Sequence, residues 1–507
     1  MEILVTADES YRAFERTVVD AVSRIDMGFR VFDARTALLT EEARAYGDTW
    51  VYLLLGKLNE GVNITIRISD FDPVVRPKLH LGSHKSLSIL MGIAELVDGS
   101  GTLRASVEDH PARVGSAPRI ALWPKVQSEI NKTCDWLNDL NAHSRREAIR
   151  CMPRLHEFTY EQDGEIRAKR SGFPAMLPVT HHQKLAVIDD KKLYIGGLDL
   201  NNRRYDSLAH DRAPPETWHD VHVLLDDAAL AREARDHLEH FRDECAGAVA
   251  VRKPDNLLRT LSVRRESNGV SLSPEVCDTG ILDRHLELIG EAENLIYLET
   301  QFLRDPVLAD ALSDRAGRAA GLGLVVLLPA APLEVAFEGE HGLDHQYGEY
   351  LQSKCLRQLR EAFGDRMFCA SPALPRHAAS TDQRHIHNAP MIFVHSKVSI
   401  FDDQAGLVTS ANLNGRSMRW DTETGIEIKD SAQVCELRRR VMTAWLPEGV
   451  DPSFWAPNLK TVSVWRSWAQ KNAKVDPVSR TGFLLPYEIQ PATEFGTNLP
   501  GIPVEMV

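Results

Sequence analysis

The stretch HHQKLAVIDDKKLYIGGLDL, residues 181–200, places a histidine, a lysine and an aspartate at fixed intervals in a pattern otherwise typical of a buried β-hairpin. A second stretch, VHSKVSIFDDQAGLVTSANLN at 394–414, repeats those intervals. Three pairs of residues therefore recur in one register: His182 with His395, Lys184 with Lys397, and Asp189 with Asp402. This repeat predicts two related halves within one chain.

The repeated histidine and lysine are expected to share one face of a strand. Residues i and i+2 of a strand point to the same side of a sheet, so His182 and Lys184 point one way while Leu185 points the other. The returning strands end in small residues, which let the backbone approach a ligand closely. If the halves pack about a pseudo-twofold axis, both His-Lys pairs face one pocket. The sequence therefore predicts one site built from two halves.

The order of apolar and polar segments predicts the fold class. Apolar runs rich in Val, Ile and Leu alternate with amphipathic segments on both sides of a polar stretch, which is typical of an α/β fold with helices packed on sheets. We expect two lobes, each a β-sheet flanked by helices, related by a pseudo-twofold axis with the site at their interface. The predicted divisions are an N-terminal lobe at 1–250, a linker at 251–275, a C-terminal lobe at 276–440, and a C-terminal extension with little regular structure at 441–507.

The composition excludes several classes of protein. Of 507 residues, 43% are hydrophobic and 26% are charged, which indicates a globular chain with a large core. The formal net charge of −13 does not favour nucleic acid as a partner. Residues 1–20 lack the basic and apolar regions of a signal peptide, and the most apolar stretch, 321–337, is too short to span a bilayer. We expect no transmembrane segment, and either a cytoplasmic location or export without a Sec signal.

Two lysines and two histidines that face one pocket suit phosphoryl chemistry. The lysines supply positive charge and hydrogen-bond donors for an anion with several oxygens. At neutral pH one imidazole can act as a neutral nucleophile while the other delivers a proton to a departing alcohol. Because phosphoryl transfer asks the protein mainly for positioning and charge stabilisation, we expect no metal and no cofactor.

Two other groups of histidines are candidates for metal ligands. One is HDVH at 219–222, and the other is RHIHN at 384–388. On a strand, residues i and i+3 point to opposite faces, and the loop histidines lack an acidic or cysteine partner nearby. We expect neither group to bind a metal.

The repeated motifs resemble the signature of the phospholipase D superfamily, HxK(x)4D(x)6G-[GS]-x-N, which occurs twice in phospholipases D proper. Residues 195–206 and 218–227 look like the amino-terminal half of eukaryotic-type members, and 395–428 looks like the carboxy-terminal half. The strand IYLETQFL at 296–303 is similar to one that the family writes as IYIENQ. Two complete copies in matching order are far more specific than a single HxK.

The resemblance implies a role for each histidine and for two carboxylates. His182 would be the nucleophile that forms a phosphohistidine. His395 would be the general acid that protonates the leaving alcohol and then activates water. Asp220 and Glu423 match the positions whose carboxylates orient the two histidines through the other ring nitrogen.

The resemblance assigns the remaining motif residues to the phosphate and to the hairpins. Lys184, Lys397 and Asn412 would hold the phosphate oxygens. Asp189 and Asp402 complete the two signatures at the hairpin turns, where we expect them to support the motif more than to touch substrate.

Two positions depart from the simple signature. Asp199 stands where the first copy usually has Asn, a choice that eukaryotic-type members share. A carboxylate beside a phosphate needs a proton or a different orientation, so Asp199 ranks below Asn412 as a phosphate ligand. Thr409 replaces the usual Gly of the second copy, and a β-branched residue is tolerated in a strand.

The resemblance implies a phospholipase D-type phosphodiesterase. Its partner would be a phospholipid at a membrane surface or in a micelle, cleaved on the headgroup side to phosphatidic acid and a free alcohol. Transphosphatidylation would follow when another alcohol displaces water at the intermediate. The alternatives are a cardiolipin-synthase-like phosphatidyltransferase, a nuclease of the same superfamily, and a scaffold that binds without catalysis. The oligomeric state stays open, and a monomer is one possibility.

Overall fold

Two large mixed β-sheets, one from each half of the chain, form the centre of the protein. The structure is a computed structural model that describes residues 1–266, 269–337, 342–379 and 385–507. The strands of the first half are β1 (Glu2–Val5), β2 (Arg24–Phe29), β3 (Asn63–Ser69), β4 (Leu103–Glu108), β5 (Thr159–Gln162), β6 (Glu165–Ala168), β7 (Leu185–Ile188), β8 (Lys192–Gly196) and β9 (Val221–Asp226). Those of the second half are β10 (Leu258–Val263), β11 (Glu275–Thr279), β12 (Leu295–Thr300), β13 (Gly323–Leu327), β14 (Met367–Pro372), β15 (His385–Ile386), β16 (Ala389–Pro390), β17 (Lys397–Phe401), β18 (Ala405–Thr409), β19 (Glu423–Ile428) and β20 (Leu484–Pro486).

Helices connect the strands and cover the sheets. In the first half they are α1 (Thr6–Val19), α2 (Glu41–Arg44), α3 (Trp50–Asn59), α4 (Pro77–Glu95), α5 (Ser116–Asp139), α6 (Ala142–Arg150), α7 (Leu155–Phe158) and α8 (Ala228–Cys245). In the second half they are α9 (Gly280–Glu291), α10 (Pro306–Arg318), α11 (Leu333–Phe337), α12 (Leu343–Phe363), α13 (Gly415–Arg419), α14 (Ser431–Thr443), α15 (Leu459–Ala473) and α16 (Ile489–Phe495). Within the described ranges, none of these helices is both long enough and apolar enough to cross a membrane.

The two sheets repeat one topology. The first has the order β1-β9-β8-β7-β2-β3-β4, and the second has the order β11-β10-β19-β18-β17-β12-β13-β14-β20. In each, three adjacent strands are parallel (β2-β3-β4 and β12-β13-β14), and the motif hairpin (β7-β8 and β17-β18) continues the sheet in antiparallel fashion. The predicted α/β fold of two sheet-and-helix lobes is therefore confirmed.

The motif strands are buried on both faces, which explains their nearly continuous apolar sequence. Leu185 and Val187 of β7 join Val398 and Ile400 of β17 in one core that both sheets share. The alternate residues of β7 pack instead into a second core beneath α1. The hairpins therefore lie at the contact between the two halves, and they carry the motifs to that contact.

The segment predicted as a linker, 251–275, includes a strand of the second sheet. β10 pairs with β19 along one edge and with β11 along the other. Its charged residues suggest an irregular chain, yet Arg259 is buried and lies 2.8 Å from Glu244 and 2.7 Å from Asp278. Residues 267–268 lie outside the described part of the chain. The division into domains stays a prediction.

The C-terminal extension is more regular than expected. β20 joins the second sheet beside β14, and α15 and α16 flank it in sequence. The Pro and Gly of this region indicate loops, but Val462, Trp465 and Ala469 recur at helical spacing and are buried in the shared core. The expectation of little regular structure in 441–507 is therefore wrong.

Candidate active site

Each HxK motif enters its hairpin alongside a segment from the other half of the chain. The amide of His182 donates to the carbonyl of Thr422 (2.8 Å), and the amide of His395 donates to the carbonyl of His219 (2.8 Å). Isolated parallel bridges accompany both contacts, next to His182 and next to His395. Backbone hydrogen bonds across the interface therefore fix the two motifs relative to each other.

Each histidine is held by a carboxylate of the opposite half. Nδ1 of His182 lies 2.9 Å and 3.0 Å from the two carboxylate oxygens of Glu423. Nδ1 of His395 lies 2.6 Å from Oδ2 of Asp220. Because the carboxylate occupies Nδ1, Nε2 is the nitrogen that each ring presents to a substrate. This reciprocal exchange is the arrangement expected of one site built from two related halves.

Both motif lysines are buried. Lys184 is 0% exposed and Lys397 is 3% exposed. Nζ of Lys184 donates to the carbonyl of His182 (2.5 Å), and Nζ of Lys397 donates to the carbonyl of His395. Burial lowers the pKa of Lys184 to about 8 and that of Lys397 to about 7. The two ammonium groups therefore lack a full complement of counter-charge and favour an anionic ligand.

Charges of both motifs act on both histidines. Burial lowers the pKa of His182 and of His395 well below the usual value, and the positive charges of Lys184 and Lys397 lower it further at each ring. Both rings are therefore neutral imidazoles at neutral pH when no substrate is bound. The side chains of the two motifs lie near enough to share one electrostatic environment.

The orienting carboxylates are also shifted by burial. Burial raises the pKa of Asp220 to about 6 and also raises that of Glu423, while the positive charge of Lys184 opposes the rise at Glu423. Ser410 adds a hydrogen bond from Oγ to Oε2 of Glu423 (2.5 Å), which fixes the carboxyl group against His182. The site is thus a buried network of acids, imidazoles and lysine side chains.

The motif aspartates face away from the histidines and tie the hairpins to their sheets. Asp189 accepts hydrogen bonds from the amides of Val22, Ser23 and Arg24 at 2.8–2.9 Å. Asp402 does the same for three successive amides at 2.7–2.9 Å, those of Glu293, Asn294 and Leu295. Both aspartates adopt positive φ at their turns, 52° and 51°. Each carboxylate caps the start of the parallel strand next to its hairpin.

Asp402→Ala is expected to reduce the free energy of unfolding by about 3 kcal/mol, since it leaves three backbone donors without their charged acceptor. Asp402→Asn, which keeps one acceptor oxygen, should lose less. Urea denaturation followed by circular dichroism measures both values. An alanine variant as stable as the unmodified protein would contradict this structural role.

Asp199 is connected to the site by its contact with Arg204. Its Oδ1 accepts from the amide of Val31 (2.8 Å), and its Oδ2 lies 2.5 Å from Nη1 of Arg204 and 4.0 Å from Nζ of Lys184. The Asp199 carboxylate is thus already paired with Arg204 and Lys184. This pairing gives it the different orientation that a carboxylate beside a phosphate requires. Asn412, by contrast, has a buried Oδ1 without a hydrogen-bond partner among the described residues. Asn412 is neutral, and its amide nitrogen is the atom that can donate to a phosphate oxygen.

Comparison with known proteins indicates the family. A model of the family described as "Cardiolipin synthase, PLD-like domain" matches residues 286–445. Phospholipase D1 of Saccharomyces cerevisiae is 24% identical over 354 residues, which are 50% of this chain and 20% of that protein. Cardiolipin synthase of Staphylococcus aureus is 24% identical over 280 residues, 53% of this chain and 48% of that protein. These matches support the phospholipase D superfamily.

The likeness to these superfamily members is partial in length. The aligned regions cover less than half of each curated relative named above. A solved structure of phosphatidylserine synthase from Haemophilus influenzae is 14% identical, with a TM-score of 0.48 over 94% of each chain. The chain therefore spans less than half the length of the curated relatives it matches.

Two residues of the site lie outside the superfamily signature and were missed by sequence reasoning. Arg30 follows β2, and its charge lowers the pKa of His182. Its buried Nε has no hydrogen-bond partner in the described part of the chain. Arg204 pairs with Asp199, as described above, and its charge also reaches both histidines. The carboxyl end of a parallel strand is where functional side chains gather, so the position of Arg30 was a usable signal.

Among the described residues, the histidines of the two other groups have separate partners. Nε2 of His219 lies 3.3 Å from Glu299, whereas the ring of His222 stacks on Tyr194 with centroids 4.3 Å apart. In the second group, Nδ1 of His387 lies 3.5 Å from Glu488. Arg384 of that group lies outside the described residues.

Proposed function

We propose that the protein is a phospholipase D-type phosphodiesterase that hydrolyses glycerophospholipids to phosphatidic acid and a free headgroup alcohol. One observation carries the proposal: two imidazoles, each oriented by a carboxylate of the opposite half, share a buried site with two lysines. Burial of titratable groups costs free energy of folding, and a scaffold that binds without catalysis would gain nothing from it. The arrangement suits attack on a phosphate from one side and proton delivery from the other.

In the first step Nε2 of His182 attacks phosphorus with its lone pair. The bond from phosphorus to the headgroup oxygen breaks, and that oxygen takes a proton from Nε2 of His395. The products of this step are a phosphatidyl group on His182 and a neutral alcohol. Lys184, Lys397 and Asn412 hold the non-bridging oxygens, whose negative charge is spread in the transition state.

In the second step His395, now neutral, takes a proton from water. The water oxygen attacks phosphorus and the bond to Nε2 of His182 breaks, which returns the imidazole and releases phosphatidic acid. If an alcohol takes the place of water, the same step transfers the phosphatidyl group to that alcohol. Hydrolysis and transfer therefore need the same residues.

Substrate binding allows His395 to take up from solvent the proton that the first step needs. In the empty site the lysine charges keep His395 neutral, as its lowered pKa shows. A phosphodiester anion between Lys184 and Lys397 offsets those charges and raises the pKa of His395. His395 therefore becomes a competent acid only when a phosphate is bound.

A comparison of substrates tests the proposal. Purified protein would be given phosphatidylcholine, phosphatidylethanolamine and phosphatidylglycerol in mixed micelles, with supercoiled plasmid in parallel. We expect phosphatidic acid from at least one lipid and intact plasmid, in keeping with the net charge of −13. Plasmid cleavage without lipid hydrolysis would make the protein a nuclease.

The description of the matching family model favours a second candidate, a cardiolipin-synthase-like phosphatidyltransferase. The same site performs this reaction when phosphatidylglycerol supplies both the phosphatidyl group and the acceptor alcohol. Lipid products from phosphatidylglycerol vesicles distinguish the two: phosphatidic acid indicates hydrolysis, and cardiolipin with free glycerol indicates transfer.

The pH dependence follows from the lysines. In the free enzyme Lys184 and Lys397 lose their protons as pH rises through about 7 to 8. Loss of positive charge weakens binding of an anionic phosphodiester, so kcat/KM should fall on the alkaline side of this range. Initial rates with a soluble short-chain phospholipid from pH 5.5 to 9.5 provide the measurement. A kcat/KM that stays constant up to pH 9 would show that neither lysine binds the phosphate.

Glu423→Gln is expected to lower kcat on the order of 10²-fold, because an amide cannot hold the Nδ1 proton of His182 as a carboxylate does. Glu427→Gln is the matched control. It makes the same change on the same strand, where the carboxylate pairs with Arg284 (2.6 Å). Steady-state kinetics of both variants give the comparison, and equal losses in the two would count against an orienting role for Glu423.

A further inference from the structure

A second cluster of titratable side chains lies in the first half of the chain. Asp70 follows β3 directly, and His80 and His84 stand one turn apart on α4. Oδ1 of Asp70 lies 2.6 Å from Nδ1 of His80, and Oδ2 lies 3.3 Å from Nε2 of His84. One ligand atom from each of the three residues lies within 4.8 Å of the others. The proposed phosphoryl steps use none of these groups.

The burial of this cluster sets it apart from ordinary surface acids. His80 is 0% exposed and Asp70 is 6% exposed, while the side chain of His84 keeps 17% of its surface in contact with solvent. The two imidazole rings meet nearly edge to face, with centroids 4.7 Å apart. Nε2 of His80 is buried and has no hydrogen-bond partner within the described ranges. The nitrogen that contacts Asp70 is Nδ1, so Nδ1 is the atom of His80 that belongs to the cluster.

We propose that Asp70, His80 and His84 form a binding site for a first-row divalent metal ion, for which zinc is the best fit. Two histidines at i and i+4 on a helix with one carboxylate give the nitrogen and oxygen donors that zinc takes at sites with three protein ligands. In a tetrahedral zinc site with bonds of about 2.0–2.1 Å, neighbouring ligand atoms are about 3.3 Å apart. Oδ2 of Asp70 already lies at that distance from Nε2 of His84. The three ligand atoms, one from each residue, lie within 4.8 Å of one another and would draw together around the ion.

The donor set also selects against other ions. Calcium and magnesium prefer sites made of oxygen ligands, and this cluster offers two imidazole nitrogens. Within the three residues there is no thiolate to favour copper(I) or an iron–sulfur cluster. The partly exposed side of His84 leaves room for water in the remaining position. This inference revises the expectation of no metal made from the sequence.

The site is placed to support the active site without taking part in its chemistry. The amide of Phe71 donates to Oδ1 of Asp70 (2.8 Å), so a metal held by Asp70 would fix the end of β3. The ring of Phe71 lies 5.2 Å from the guanidinium carbon of Arg30. Arg30 in turn acts on His182 through its charge. A bound metal would therefore restrict the motion of Phe71 and, through it, of Arg30 beside His182.

Metal uptake can be measured without any turnover, so its outcome does not depend on the proposed function. The full chain, free of affinity tags and stripped with EDTA, would be titrated with zinc chloride by calorimetry. We expect one equivalent to bind, and the ion to persist through dialysis when measured by mass spectrometry. Cobalt chloride should give the visible absorption bands of a tetrahedral site.

His84→Ala and His240→Ala form a matched pair of variants. His240 also pairs with a carboxylate one turn away on a helix, at 3.2 Å from Asp236, and its side chain is 39% exposed. We expect zinc binding at least about a hundredfold weaker in His84→Ala and unchanged in His240→Ala. Less than one equivalent in the unmodified chain, or equal affinity in the unmodified chain and His84→Ala, would overturn the proposal. Because His84 is partly exposed, its variant should fold, which the melting temperature without metal verifies.

Discussion

His182→Ala should lower kcat by about 10⁴-fold or more while the protein stays folded. The variant lacks the atom that forms the covalent bond to phosphorus, and the remaining groups can only bind and polarise the substrate. Headgroup release from phosphatidylcholine or phosphatidylglycerol, whichever the protein cleaves, gives the rate. A variant that keeps more than about a hundredth of the activity would exclude covalent catalysis by this residue.

His285→Asn provides the control for loss of a buried imidazole. His285 is 2% exposed, and its ring contacts Oγ of Ser399 (3.0 Å) and the carbonyl of Ile281 (2.8 Å). If loss of a buried imidazole were enough to stop turnover, this variant would be inactive as well. We expect it to retain activity in proportion to its folded fraction. Circular dichroism of both variants supplies that fraction.

His395→Ala should lower kcat by about 10²–10⁴-fold with a natural alcohol as leaving group. The headgroup oxygen then departs without a proton, which is the slow event for a poorly acidic alcohol. A phosphatidyl ester of p-nitrophenol needs no such help, because p-nitrophenolate is stable without protonation. The variant should therefore release a burst of p-nitrophenolate equal to the enzyme concentration and then turn over slowly.

The amplitude of the p-nitrophenolate burst distinguishes the role of His182 from that of His395. In His182→Ala no covalent intermediate forms, so neither leaving group should give a burst. In His395→Ala the intermediate forms and waits for a base to activate water. Stopped-flow absorbance measures the amplitude in both. Equal losses with both leaving groups in His395→Ala would remove the general-acid role from this residue.

The sequence was most informative where contacts are local or repeated. The hairpin of residues 181–200 shows its strands and turn by periodicity, and its copy at 394–414 implies the paired halves. The matched strand orders follow from that duplication. The resemblance also named Asp220 and Glu423. Their exchange between halves is visible only in the folded chain, since the contacts from each to its histidine span 175 and 241 positions.

Contacts between distant segments explain what sequence reasoning missed. Arg30 belongs to the site only because β2 lies beside β7. Asp70 reaches His80 through the turn that joins β3 to α4, and an H-x-x-x-H pattern alone is common on solvated helices. In the C-terminal extension, Trp465 is buried because the sheets leave a surface for α15 to cover. The composition of such segments indicates that they are polar and irregular. It does not show the surfaces against which they fold.

The central claim is that His182 and His395 act on one phosphorus atom from two halves of the chain. The most direct test is to quench His395→Ala during turnover of the p-nitrophenyl substrate and to map the protein by mass spectrometry under alkaline conditions, which preserve phosphohistidine. We expect a phosphatidyl group on His182 in nearly every molecule. A phosphatidyl group on any other residue, or full p-nitrophenol release with no adduct, would contradict it.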